Sequence, residues 1–266
     1  MVLPVVLVLL VIGTVIFHFT SPWWFTPLAS NWGNLDTTIL ITMWITGIVF
    51  IAVNLFLAYS VYRYRYREGR RAEFNPENTK LEWGLGIFTS VGIVAMLAPG
   101  LIAWYDYTTV PDDAWVFEAV GQQWQWTYRF PGSDGILGTA GPRHITVDNP
   151  YGLNPEDPYS RDDILVEDSE VHIPIDKPVK VLLRSKDVLH DFYVPQFRAK
   201  MDMVPGLITY LWFTPTKMGT YEIICAEFCG NGHSDMRGSV VVGDESEFQA
   251  WLSDQPTFAD YLAEAG

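Results

Sequence analysis

Cys225-Ala226-Glu227-Phe228-Cys229-Gly230-Asn231-Gly232-His233-Ser234-Asp235-Met236 puts two thiols, an imidazole and a thioether on one short loop, in the pattern C-x3-C-x3-H-x2-M. These are the only two cysteines in 266 residues, and His190 lies far upstream as a further soft-metal ligand. Thiolate, imidazole and thioether together suit copper, and few other metals favour a thioether. A single blue-copper site would need one thiolate, so the second sulfur points to two coppers bridged by both cysteines. Three plainer readings compete. A disulfide across so short a loop strains the bond geometry. A zinc site of Cys225, Cys229, His233 and His190 has no use for Met236, and the spacing is not a common zinc-ribbon one. Met236 alone would pass as core filler.

Hydrophobic residues make up 49% of the chain and aromatics 15%, more than a soluble domain of this size needs. The excess sits in the first 104 residues, in apolar stretches at 2–19, 37–61 and 83–104 with no Asp, Glu, Lys or Arg inside them. Each approaches the roughly 20 residues that span a bilayer. Arg63, Arg65, Arg67, Arg70 and Arg71 crowd the loop between the second and third stretches, which predicts a cytoplasmic loop and export of everything after about residue 105. Trp23, Trp24, Trp32, Trp104 and Tyr105 read as interfacial anchors. The first stretch lacks a basic leader, and residues 19–35 hold no small-x-small cleavage site, so it reads as a retained span rather than a cleaved signal peptide.

Charge divides unevenly. The first 104 residues hold 6 of the 17 Lys/Arg and 5 of the 31 Asp/Glu, which leaves the remainder with 11 and 26, net −15. Such a surface repels nucleic acid and attracts cationic partners, and it also serves solubility. Two free thiols would be at risk in an oxidising outer compartment, so their presence there argues for a bound metal.

Beyond residue 105 the pattern turns to short strands: 115–121, 123–130, 171–175, 179–184, 206–214, 219–225 and 238–242. Within 123–130, Trp124, Trp126, Tyr128 and Phe130 fall on one face, and Gln123, Gln125, Thr127 and Arg129 on the other. Pro131-Gly132, Asp176-Lys177-Pro178, Val204-Pro205-Gly206 and Pro215-Thr216 mark turns. Short strands without intervening helices imply an antiparallel sandwich or barrel. Residues 132–169 read as a flexible, solvated insertion, and 246–254 as a short helix ahead of the tail. Ligands from one strand end and one strand-to-strand loop fit an all-β, cupredoxin-like Greek-key domain over 105–245. It follows an N-terminal span with its outer loop (1–36) and a helical hairpin (37–104), and residues 246–266 close the chain.

At this point the chain resembles subunit II of cytochrome c oxidase, bacterial type, from about residue 37 to 243. The likeness is carried by Ser185-Lys186-Asp187-Val188-Leu189-His190, Val194-Pro195, Lys200-Met201-Asp202-Met203-Val204-Pro205-Gly206 and Cys225 to Met236. It implies a binuclear CuA centre. Cys225 and Cys229 would bridge both coppers, His190 and His233 would each cap one, Met236 would ligate one weakly, and the backbone carbonyl of Glu227 would reach the other. The Glu227 side chain would bind a Mg2+ shared with subunit I. Trp124, in Gly121-Gln122-Gln123-Trp124-Gln125-Trp126, would take electrons from a c-type cytochrome, with Asp187, Asp112 and Asp113 as docking acids; equally, Trp124 reads as a core aromatic. Gln122 and Gln125 stand where the family usually has His and Tyr.

Asn78-Thr79-Lys80-Leu81-Glu82 matches a motif where the family places a proton-entry acid, here Glu82, which is also a good first-turn helix residue. The implied activity is electron entry into a proton-pumping oxidase in a bacterial inner membrane, with the CuA domain on the periplasmic face. Its partners would be subunit I, which holds haem and CuB, subunit III, the bilayer and a separate cytochrome, since no C-x-x-C-H occurs. Two alternatives stay open: the CuA subunit of a nitric oxide reductase, expected to lack the Glu227 and Glu82 pair, and a membrane-tethered copper-assembly protein, which would not need Trp124. A quinol oxidase subunit would have lost copper ligands, and nitrous oxide reductase needs a large propeller. The additional N-terminal span and the length of 132–169 depart from the family pattern.

Overall fold

The computed structural model describes residues 2–21, 26–71 and 76–264. Two compact units result: residues 1–25 with 34–105, and residues 26–33 with 106–266.

The first unit is helical. α1 (Val2–Thr20), α2 (Gly33–Arg63) and α3 (Thr79–Thr108) are each long and apolar enough to cross a membrane. Their apolar side chains point outward, with Val11, Ala58 and Ala103 buried among them. Surfaces this apolar need lipid or partner protein around them. Phe19 of α1 and Trp44 of α2 lie with ring centroids 6.3 Å apart. α3 begins where Asn78 accepts from Leu81 N at 3.1 Å and Glu82 reaches back to Asn78 N at 3.4 Å, so two free donors of the first turn are satisfied.

The second unit is a cupredoxin-like sandwich of two five-stranded sheets. In chain order the strands are β1 (Trp115–Gln122), β2 (Gln125–Phe130), β3 (Ile164–Val166), β4 (Glu170–Pro174), β5 (Val179–Ser185), β6 (His190–Val194), β7 (Ala199–Met203), β8 (Thr209–Phe213), β9 (Gly219–Cys225) and β10 (Arg237–Gly243). The sheets run β3-β2-β1-β5-β8 and β4-β10-β9-β6-β7. β1 pairs with β5 and β4 with β10 in parallel, and the other pairs are antiparallel. Short strands alone could not foretell the parallel pairs, because strand order is set by long connections. α4 (Glu245–Ser253) starts on a capping box, with Asp244 accepting from Glu247 N and Glu247 from Asp244 N, and α5 (Phe258–Glu264) follows it.

Three expectations change. Residues 132–169 are not a solvated loop: they fold over the outer face of β1 and β2. Tyr151, Leu153 and Leu165 of this segment form a buried cluster with Val120 and with Phe258 of α5. Each such side chain contributes about 1.5–3 kcal/mol on burial. The polar face of β2 is therefore interior. Arg129 Nε bonds Glu118 Oε2 at 3.0 Å and its Nη1 bonds Asp163 Oδ2 at 2.7 Å, while Arg184 Nη2 also holds Glu118 Oε2 at 3.0 Å. Alternation is periodic whether water or protein covers the second face, so the pattern could not tell these cases apart.

Trp32 is not an interfacial anchor. It is buried in the sandwich unit, its ring 4.6 Å from that of Trp212, and its Nε1 donates to Trp212 O at 2.9 Å. Trp23 and Trp24 lie outside the described residues. Finally, Trp124 does not stand on the strand face of Trp126, Tyr128 and Phe130. Gln122 pairs with Gln125, which leaves Gln123 and Trp124 as the two-residue turn of a hairpin.

Candidate metal centre

Every predicted copper ligand converges at one end of the sandwich. His190 begins β6 and Cys225 ends β9 (Phe192 pairs with Cys225), so the sheet itself brings the upstream histidine to the loop. The loop closes on its own backbone: Cys225 N donates to Met236 O at 3.2 Å, His233 N to Gly230 O at 3.1 Å and Met236 N to Gly232 O at 3.1 Å. These ties bring the two ends of the twelve-residue stretch together and turn its soft side chains inward.

Cys225 Sγ lies 3.7 Å from Cys229 Sγ, far beyond a disulfide, and both cysteines are free and buried. His190 Nδ1 is 3.9 Å from Cys225 Sγ, and His233 Nδ1 is 3.6 Å from Cys229 Sγ. Met236 Sδ is 3.8 Å from Cys229 Sγ, and Glu227 O is 3.2 Å from Cys225 Sγ. The ligand atoms of His190, Cys225 and Cys229 all fall within 4.8 Å of one another. Two sulfurs flanked on either side by an imidazole Nδ1, with a thioether near one and a carbonyl near the other, fit a pair of soft cations bridged by sulfur.

Electrostatics favour one thiolate before any metal binds. Burial acts against the Cys225 thiolate, but hydrogen bonds from His190 and from backbone amides override it and lower its pKa to about 6. Burial, and then the neighbouring Cys225 sulfur, push Cys229 up to about 12. His190 is raised despite its burial, because Cys225 and Asp187 both accept from it.

Around the ligands is a shell of hydrogen bonds. Asp187 Oδ1 lies 2.7 Å from His190 Nε2 and accepts from Val188 N at 2.7 Å, while its Oδ2 accepts from Gln123 N at 2.7 Å. Partial burial would raise the pKa of this carboxyl, but these bonds hold it below the usual carboxylate range. Asp187 therefore braces the site while remaining exposed, as Asp112 and Asp113 are. Gln123 Nε2 donates to Cys229 O at 2.7 Å, and Trp124 Nε1 donates to the same oxygen at 3.3 Å. Trp124 keeps 41% of its surface exposed, so one ring touches both solvent and the copper loop. Phe228, inside the loop, is 75% exposed.

The ring lies against the loop backbone at glycine. A Cβ on Gly232 would sit 2.5 Å from Trp124 Cδ2, and one on Gly230, whose φ is +121°, would sit 2.9 Å from Gln123 Nε2. Gly232→Ala is therefore expected to push the indole outward. The check is tryptophan fluorescence in a background where Trp104 and the other exposed tryptophans are unchanged: a red shift is expected, and an unaltered spectrum counts against the contact.

Residues 115–243 match the family model of the cytochrome c oxidase subunit II periplasmic domain. The alternative cytochrome c oxidase subunit 2 of Bradyrhizobium diazoefficiens is 58% identical over 259 residues, which cover 97% of this chain and 94% of that one. The chain belongs to the cytochrome c oxidase subunit II family. Subunit 2 of the Cereibacter sphaeroides oxidase is 30% identical over 235 residues, 85% of this chain and 76% of that one. Among solved structures, the periplasmic domain of subunit II (CoxB) of Bradyrhizobium japonicum is 26% identical, with a TM-score of 0.40, covering 55% of this chain and 95% of that domain.

Within this subunit II fold, the sulfurs and imidazoles singled out in the sequence lie together, Gln123 joins them unannounced, and Asp187, expected as a docking acid, is exposed and also bonds His190. The available signal was position: Asp187 sits three residues before His190 in the tight turn after β5, within reach of the ring. Glu82 lies at the start of α3, in the first unit, and is tied to Asn78 N.

Proposed function

We propose that this subunit II is the electron-entry subunit of a haem–copper oxidase, taking electrons from a c-type cytochrome at a binuclear CuA centre and passing them to haem in subunit I, where oxygen is reduced to water. The observation that carries this reading is the convergence of two thiols, two imidazole Nδ1 atoms, the Met236 thioether and the Glu227 carbonyl at one end of the sandwich. Two bridged coppers would supply a one-electron carrier whose charge change is shared by both metals.

The chain's own residues do the rest. Cys225, Cys229, His190, His233, Met236 and Glu227 O would hold the coppers, with both thiolates shared between them, and the hydrogen-bonded loop would keep these donors from rearranging. Trp124 offers a polarisable ring at the surface, with its indole N–H on Cys229 O, and so links a docked donor to a ligand by one hydrogen bond. The acidic surface draws a cationic cytochrome. The Glu227 carboxylate, half-buried beside the site, is assigned to a Mg2+ shared with subunit I, where one carboxylate from this chain suffices if the partner completes the shell. Glu82 is assigned to proton entry for a pumping complex. Its bond to Asn78 N also serves the helix start, so Glu82→Gln should slow proton uptake while leaving α3 intact if the assignment holds. The three apolar helices support a multi-pass subunit of the bacterial inner membrane, beside subunits I and III, with the sandwich on the periplasmic side.

Electron paramagnetic resonance of the oxidised complex tests the centre: a hyperfine pattern from two equivalent copper nuclei is expected, and a single-nucleus pattern overturns it. For the entry route, Trp124→Gln should slow cytochrome c oxidation by about tenfold or more, roughly 1.4 kcal/mol in the barrier, with the copper spectrum unchanged. Oxidation at the full rate would remove Trp124 from the route.

A further inference from the structure

We propose that Asp187 is a positioning residue that sets both ends of the entry route at once, orienting His190 with Nδ1 toward the sulfurs and holding the turn that carries Trp124. This rests on the reading of the site as a copper centre. His190 is fully buried, so the hydrogen bond of its outer nitrogen must come from protein, and Asp187 Oδ1 supplies it at 2.7 Å. The nitrogen that keeps its proton is fixed by that partner, which leaves the other nitrogen unprotonated as the metal ligand. The second oxygen of the same carboxylate accepts from Gln123 N at 2.7 Å, the first amide of the Gln123-Trp124 turn. On its far side the turn is fastened to the copper loop through Gln123 Nε2 and Trp124 Nε1, both on Cys229 O. One carboxylate thus connects the imidazole beside the Cys225 sulfur to the turn resting on Cys229.

A carboxylate can do this and an amide cannot. Asp187 uses both oxygens as acceptors, one for His190 and Val188 N, the other for Gln123 N. Asparagine has one acceptor oxygen and an NH2 group that only donates. With its oxygen toward His190, the amide introduced by Asp187→Asn would set donor against donor at Gln123 N and release the turn. With its oxygen toward Gln123, its NH2 would face His190 Nε2 and favour the inverted imidazole, with the proton on Nδ1.

The test is Asp187→Asn in the full chain, read in two states. In the metal-free protein with 15N-labelled histidine, the parent should show a His190 Nε2 proton held in a hydrogen bond to Asp187. The variant should show either loss of that bonded Nε2 proton, or its retention with faster exchange of the Trp124 indole and Gln123 amide protons. Either result supports the proposal. In the copper-loaded complex, loss of the charge and its bond should move the redox equilibrium about tenfold toward the reduced form, about 59 mV for a one-electron couple. Asp148→Asn removes the same charge from an exposed position and should leave all three readouts alone. An Asp187→Asn protein whose histidine nitrogens, turn protons and potential all match the parent overturns the proposal. If the parent binds no copper pair, the proposed function fails, and the metal-free histidine measurement still decides whether Asp187 orients His190.

Discussion

Cys229→Ser is expected to eliminate the proposed two-copper centre, leaving at most one copper per chain and no two-nucleus hyperfine pattern. Cys229 Sγ is the more connected sulfur, 3.7 Å from Cys225 Sγ, 3.6 Å from His233 Nδ1 and 3.8 Å from Met236 Sδ. A serine hydroxyl is a hard, weakly acidic ligand and does not replace a bridging thiolate for a soft metal. The fold should survive, because the loop is closed by backbone bonds from Cys225 N and Met236 N that do not involve the thiol. Electron transfer from cytochrome c should fall to background in the same preparation. Metal analysis showing two coppers per chain in Cys229→Ser would refute the bridging role, and circular dichroism of the variant separates loss of metal from loss of fold.

Arg129→Met should give the largest loss of stability in the sandwich. Arg129 and Glu118 are buried, Asp163 is fully buried, and the guanidinium also donates to Gly138 O at 2.6 Å. Burial works against both charges: it pushes Asp163 up to about 6 even with Arg129 beside it, whereas the two arginines hold Glu118 below its ordinary value in spite of burial. Methionine fills a similar volume but leaves Asp163 with Gly138 N at 3.1 Å as its remaining tie, besides a buried oxygen that has no partner. Removing one member of a buried ion pair costs about 3–5 kcal/mol. Because Arg129 pins residues 132–169 to the sheet, amide exchange should accelerate first at residues 138–166. Retained protection there would show that the apolar cluster of Tyr151, Leu153 and Leu165 holds the segment without the ions.

The metal loop was readable in the sequence because its information is local. Four soft side chains within twelve residues cannot avoid each other once the loop closes, and the surplus thiol is what points to two metals in place of one. The apolar stretches were equally plain, and the helices begin and end within a few residues of them. Trp124 was legible as a residue but not in its setting. Its alternation with Trp126 suggested a strand face, yet pairing of Gln122 with Gln125 makes it the turn, where one ring both meets solvent and touches Cys229 O.

The residues that read worst were those whose meaning depends on distant chain. Glu118, Arg129, Arg184 and Asp163 come from β1, β2, β5 and the long segment, and no spacing in the sequence links them. Trp32 lies next to an apolar span in sequence but packs on Trp212, 180 residues away. Asp187 looked like one surface acid among many in a domain of net charge −15; it stays exposed, and folding engages its two oxygens with His190 and Gln123 N. By itself the sequence determined which atoms could bind metal and which helices could cross a bilayer, because ligand chemistry and hydrophobic length are properties of short stretches. The tertiary structure alone decided which charges are buried, which acid serves His190 and which tryptophan stands at the surface, because burial and hydrogen-bond partners arise only when segments far apart in the chain are brought together.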